Sequence, residues 1–140
     1  MAPIAAEKPL LLVVAGALLN EAGQVLLAQR PPGKQLAGLW EFPGGKLLAG
    51  ESPEAALARE LEEELDVRVA AAAMQPFAFA SHAYPAFHLL MPLYLIRDWS
   101  GAPQGREGQA LTWAPLSGLH AFPMPPADLP LLPALQQLAR

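Results

Sequence analysis

Apolar residues fall along the chain in short blocks of strand length, broken once by a longer stretch of helical period. Leu10 to Leu19 is an unbroken apolar run and Val25 to Gln29 a shorter one. Asn20-Glu21-Ala22-Gly23 between them carries turn chemistry, so the pair predicts two strands joined as a hairpin. Arg30 ends the second, and Pro31-Pro32-Gly33-Lys34 opens a loop that runs through Trp40-Glu41-Phe42-Pro43-Gly44-Gly45 to Glu51. Ser52 followed by Pro53 is an N-cap with proline at the first helical position, and the periodic stretch begins there. Beyond it, Val67–Ala73, Phe77–Ser81 and Phe87–Ile96 read as strands, with Pro92 marking the last as an edge or bulged strand. Leu111–Trp113 is a further short one, and a helix follows Pro133. Strands interleaved with two helices predict an α/β fold, a mixed sheet between helices.

The periodic stretch divides by face. With Glu60 at zero, Glu64 lies about 40° and Glu63 about 60° away on the wheel, while Leu57, Ala58, Leu61 and Leu65 take the adjoining arc. Glu62 falls off the acidic face and reads as solvated. Like charges at this spacing repel. A hard divalent cation relieves that repulsion, and Mg²⁺ characteristically takes one or two protein carboxylates and completes its shell with water and substrate phosphate. The bland alternative is a solvated acidic helix face, the usual meaning of a charge run.

The register around these glutamates resembles the Nudix box, G-x5-E-x7-R-E-U-x-E-E-x-G-U with U apolar. Gly45, Glu51, Arg59, Glu60, Leu61, Glu63, Glu64 and Val67 are in place. Asp66 stands where the family has glycine, at a helix end that favours left-handed backbone, which Asp tolerates better than most residues. The resemblance implies a Nudix α/β/α sandwich with a central mixed sheet and metal-dependent hydrolysis of a nucleoside diphosphate linked to another group. It implies Glu60 and Glu64 as principal metal ligands, Glu63 as ligand or water-orienting base, the Gly45 carbonyl as a further ligand and Arg59 as the residue orienting the carboxylates. Glu51 supports the loop or the metal geometry. The expected ion is Mg²⁺, with Mn²⁺ as a substitute.

Leu39-Trp40-Glu41-Phe42-Pro43-Gly44-Gly45-Lys46, Tyr84-Pro85, Arg106-Glu107-Gly108-Gln109, Trp113 and Pro125-Pro126-Ala127-Asp128 extend the similarity to the MutT-type, 8-oxo-dGTP diphosphatase-like subfamily across nearly the whole chain. There the residue matching Glu107 reaches the metal site and that matching Arg30 contacts the nucleotide, with Lys46 and Arg106 as secondary phosphate candidates; the alternatives are an exposed loop carboxylate for Glu107 and a surface salt bridge for each of the three cations. Phe42 is placed to lie against a base, whereas Trp40 and Trp113 read as core or rim aromatics. Asp128 replaces an asparagine that reads the purine edge. An amide donates and accepts, but an ionised carboxylate only accepts. Ionised Asp128 would favour the N1–H and N2–H donors of guanine and weaken reading of the 8-oxo-specific N7–H; neutral Asp128 would mimic asparagine. His82, His88 and His120 are not spaced as ligands and read as structural.

Composition narrows the rest. The chain has 140 residues, enough for one domain spanning 1–140, and a net charge of −4, which offers no basic field for polymeric nucleic acid. A free nucleotide is the expected partner. With no cysteine there is neither disulfide nor thiolate metal site, and the cytoplasm is the default compartment. Glu7 and Lys8 cancel where a leader peptide would be basic, and the apolar run from Leu10 is far short of a membrane span, so a buried strand explains it better. Prolines number 16, roughly twice the usual share, and those from Pro115 to Pro133 rule out long regular elements there. Other readings remain beside purine nucleotide hydrolysis: a pyrimidine nucleotide or ADP-ribose-type pyrophosphatase, and a non-catalytic module that binds a nucleotide or damaged base.

Overall fold

The structure, a computed structural model, describes residues 8–139; Glu7, weighed above against a basic leader, lies outside them. Strands β1 (Leu10–Leu18) and β2 (Gln24–Gln29) are joined by the expected turn, in which the Asn20 side-chain oxygen accepts from the Ala22 and Gln24 N–H groups at 3.0 and 2.9 Å. They do not form a two-stranded ladder. A single bridge, Leu19 to Val25, links them before they part into different sheets.

β1 joins β4 (Gly44–Lys46), β6 (His88–Ile96) and β5 (Met74–Ala83) in a mixed four-stranded sheet of order β4-β1-β6-β5. The β1–β6 pair is parallel and the others antiparallel. β2 lies between β3 (Trp40–Glu41) and β7 (Leu111–Pro115) in an antiparallel sheet. The segment from Trp40 to Lys46, expected as loop, thus contributes a short strand to each sheet.

Two other expectations are corrected. Val67–Ala73 is not a strand: it makes one bridge, Arg68 to Ser100, and then a 3-10 turn over Ala71–Ala73. Its alternation reflects burial of Val67 and Val69 against the helix, without a neighbouring strand to complete a ladder. β6 is an interior strand despite Pro92. The missing donor interrupts the β1–β6 pairing between Leu12↔Leu90 and Ala15↔Leu93 without changing register, and the bulge falls in β5, between Pro76 and Ala78.

Strand alternation sorts side chains into two cores. Val14 and Leu18 of β1, Leu26 of β2, and Tyr94 and Ile96 of β6 face helix α1 (Pro53–Leu65), which buries Ala56, Leu57, Leu61 and Leu65 against them. At about 2 kcal/mol per buried leucine, this face stabilises the docked helix far more than any helix-surface ion pair does. Ala15, Ala17, Val25, Leu27 and Leu93 face the opposite way, onto the proline-broken 3-10 turns at Leu116–Ala121 and Leu129–Leu131 and helix α2 (Leu132–Gln136). Helix, sheet and helical segment make the α/β/α layering. Among the described residues no helix is long and apolar enough to cross a membrane.

Candidate active site

Helix α1 starts and stops where its sequence says. The Ser52 hydroxyl accepts from the Ala55 N–H at 3.1 Å, and Asp66 ends the helix with φ of 59°, its N–H returning to the Glu62 carbonyl. With the leucine face docked, Glu60 and Glu64 turn toward β4. Gly45 is a glycine because the Glu60 carboxylate lies directly over it, where any side chain would collide; Gly44 likewise leaves no room beside the Val14 carbonyl of β1.

Arg59 holds the approach. Its guanidinium donates twice to Glu51, at 2.8 and 3.0 Å, once to Glu60 Oε1 at 2.8 Å and once to the Lys46 carbonyl at 3.1 Å; Glu63 is 3.7 Å away. Glu51 also takes the Leu48 N–H, and these bonds, Arg59 first, lower its pKa to about 2. Glu51 therefore secures the loop before the helix through Arg59 and is not in the cleft.

A cleft of about 180 Å³ opens beside Gly44, walled by Glu41, Glu60, Glu64 and Glu107 together with Arg30 and Lys34. Glu64 Oε2 is buried without a hydrogen-bond partner. Burial first, then the charge and direct contact of the neighbouring Glu60 and the charges of Glu107 and Glu41, push the Glu64 carboxyl well above the usual carboxylate range. An orphaned carboxylate oxygen among three more carboxylates is a donor set suited to a hard cation, so the residues fit a divalent metal. Among the described residues no three acidic groups are already gathered into a cage. Mg²⁺ does not require one, since it uses one or two carboxylates together with water. A larger hollow of about 560 Å³ over β5 and β6 is lined by Pro76, Phe79, Leu90, Pro92 and Tyr94; it is apolar, with its tyrosine hydroxyl donating to Glu54 at 2.8 Å, and offers no hydrolytic groups.

Other expected residues are placed differently. Lys46 is exposed and not in the cleft wall; its backbone carbonyl is what the site uses. The Phe42 ring is buried in the core, so it cannot stack on a base; its N–H instead donates to Asp128 at 3.4 Å. Arg106 turns from the cleft toward Asp66, at 3.6 Å, and the Glu62 carbonyl. Glu63 is exposed and not in the cleft wall. Arg30 is in the wall but engaged, donating to both oxygens of Glu41 at 3.1 and 3.3 Å and to the Gln35 carbonyl at 2.6 Å. Asp128 is 5% exposed; burial and the charge of Glu41 raise it to about 7 against the pull of the Phe42 N–H and Arg30. None of the three histidines lines the cleft: His88 pairs with Ser81, His120 with Gln136, and His82 packs edge-on to Tyr84. Trp40 meets Phe122 edge-on and Trp113 stacks on Trp99, both as packing aromatics.

Glu41, Lys34 and Gln109 line the cleft without having been singled out in the sequence. For Glu41 the signal was there. Trp40 and Phe42 pack into the core on either side of it, so strand alternation turns Glu41 to the other face. Gly45→Ala tests the Gly45–Glu60 approach: the flexible carboxylate yields to the methyl, so kcat/KM falls about 10- to 100-fold with little change in Tm. A large drop in Tm, with activity retained per folded molecule, would contradict it.

The NUDIX domain pattern matches residues 14–134, and the chain belongs to this family. It is a Nudix hydrolase, an enzyme of phosphoanhydride bonds. The chain is 43% identical over 127 residues to the 8-oxo-dGTP diphosphatase of Haemophilus influenzae, covering 90% of this chain and 91% of that protein. It is 39% identical over 127 residues to the CTP pyrophosphohydrolase of Escherichia coli, covering 89% and 91%. The solution structure of the E. coli ORF135 protein superposes with a TM-score of 0.82 at 36% identity, over 98% of this chain and 95% of that one.

Proposed function

We propose that the chain, as one catalytic domain acting in the cytoplasm, hydrolyses nucleoside triphosphates to monophosphate and pyrophosphate with Mg²⁺ or Mn²⁺. An oxidised purine deoxynucleotide such as 8-oxo-dGTP is the substrate, and clearing it from the nucleotide pool is the role. The observation that carries this reading is the buried oxygen of Glu64 that no donor satisfies, beside Glu60 on the same face of α1 and with Glu107 in the same cleft.

Glu60 and Glu64 would hold the divalent ion, with Glu107 and the Gly45 carbonyl as further ligands. When bound, the ion offsets charge developing on the phosphate oxygens and makes water a better nucleophile at neutral pH. Arg59 fixes Glu60 in its place over Gly45. Glu107, exposed in the cleft wall, or Glu63, exposed outside it on the position before Glu64, takes the proton from the attacking water. Arg30 presents a guanidinium to phosphate in exchange for part of its hold on Glu41. Asp128, beside the Phe42 N–H, reads the base.

A second reading, a cytidine nucleotide as substrate, is favoured by the pair of carboxylates Asp128 and Glu41, because a carboxylate accepts well from the cytosine 4-amino group. Turnover of 8-oxo-dGTP, dGTP, dCTP, CTP and ADP-ribose, with Mg²⁺ and with chelator, separates the readings when both products are resolved by chromatography. Metal-dependent pyrophosphate release, fastest from 8-oxo-dGTP at low concentration, is expected. A preference for cytidine nucleotides would move the assignment to the second reading, and no turnover at all would favour a binding module.

A further inference from the structure

We infer that Gln109 is a positioning residue that fixes the Glu107 carboxylate against helix α1; the inference rests on Glu107 belonging to the metal site. The last turn of any helix leaves carbonyls without partners. Here the loop 104–109 supplies donors: Gln104 N–H to the Leu65 carbonyl at 2.9 Å and Arg106 N–H to the Glu64 carbonyl at 3.0 Å. Gln109 adds a side-chain donor to the same Glu64 carbonyl at 3.1 Å, and its amide oxygen accepts the Glu107 N–H at 2.8 Å. One amide group therefore ties the backbone of Glu107 to the backbone of Glu64, whose side chain Glu107 faces across the cleft.

The chemistry requires an amide. Reversing it would set two N–H groups against each other at Glu107 and two oxygens against each other at Glu64; a carboxylate could serve only the first contact and a thioether neither. The link matters because Glu107 is exposed and takes part in none of the ion pairs among the described residues. Its position depends on its backbone. The loop is also tightly closed, since a side chain at Gly105 would collide with the Gln109 carbonyl, and the chain then continues into the Ala110 carbonyl's bond with the Gln29 N–H of β2 at 2.8 Å.

The test is a double-mutant cycle between Gln109→Met and Glu107→Gln, read by Mn²⁺ binding to the nucleotide-free protein in electron paramagnetic resonance, by kcat, and by Tm. Gln109→Met is expected to weaken Mn²⁺ binding about 10-fold, in the range for residues that orient metal ligands. In the Glu107→Gln background the same change is expected to add nothing, because its effect passes through Glu107. Additive losses, or a lowered Tm with Mn²⁺ affinity intact, would make Gln109 a helix-end contact only and overturn the inference while leaving the hydrolase reading in place. Should Glu107→Gln itself bind Mn²⁺ and turn over like wild type, the assignment of Glu107 falls and the inference with it.

Discussion

Glu64→Gln is expected to lower kcat by roughly 10³-fold or more while leaving Tm unchanged or slightly higher. Two features act in opposite directions on the two readouts. Glu64 Oε2 is buried and surrounded by Glu60, Glu107 and Glu41, so in the absence of a cation its carboxyl is held in the neutral form and ionising it costs the fold. The amide is neutral too, at nearly the same volume. The ionised carboxylate is what a divalent ion would be held by, and an amide oxygen is a far poorer partner for a hard cation. Thermal unfolding with and without Mg²⁺ checks both parts: added metal should raise the Tm of the wild type and do little for the variant. A variant that loses activity because it loses Tm would make Glu64 structural and remove the main support for the metal site.

Asp128→Asn is expected to abolish a pH dependence of base selection that the wild type shows around neutrality. Burial, with the charge of Glu41, raises Asp128 from 3.8 to about 7. Below that value the carboxyl is neutral and can both donate and accept; above it, it only accepts. The preference for 8-oxo-dGTP over dGTP should therefore be greater at pH 6 than at pH 8.5, by roughly 10-fold, the worth of a good bidentate base contact. Relative turnover of cytidine nucleotides should rise over the same interval. Stability follows the same titration. Because the folded pKa lies above the unfolded one, the contribution of Asp128 is fully present below about pH 4 and is lost as pH rises through about 7. The Asn variant should show neither trend. Identical selectivity profiles for the two proteins would mean that Asp128 does not touch the base.

The α1 segment was largely legible in the chain because its determinants are local. Ser52, Pro53, the leucine spacing and the register of Arg59, Glu60 and Glu64 all act within a few residues, and Asp66 adopts the left-handed conformation its position calls for. The errors fell where a partner distant in sequence decides. Asn20–Gly23 makes the same turn whether or not its strands stay paired, and only competition from β4, β6, β3 and β7 separates β1 from β2. Pro92 looked like an edge residue because a missing donor is a local fact, whereas the strands on either side of β6 are not.

The site divides along the same line. By itself the sequence determined the family pattern and the acidic face of α1, since these need only a local register and a helix. Tertiary structure alone decided that Phe42 offers its N–H and not its ring, that Lys46 and Arg106 turn from the cleft, and that Glu41 and Gln109 enter it. Those outcomes depend on which face of a two-residue strand meets the core and on how a loop satisfies a helix end 45 residues away along the chain, contacts set by packing and not by any local preference.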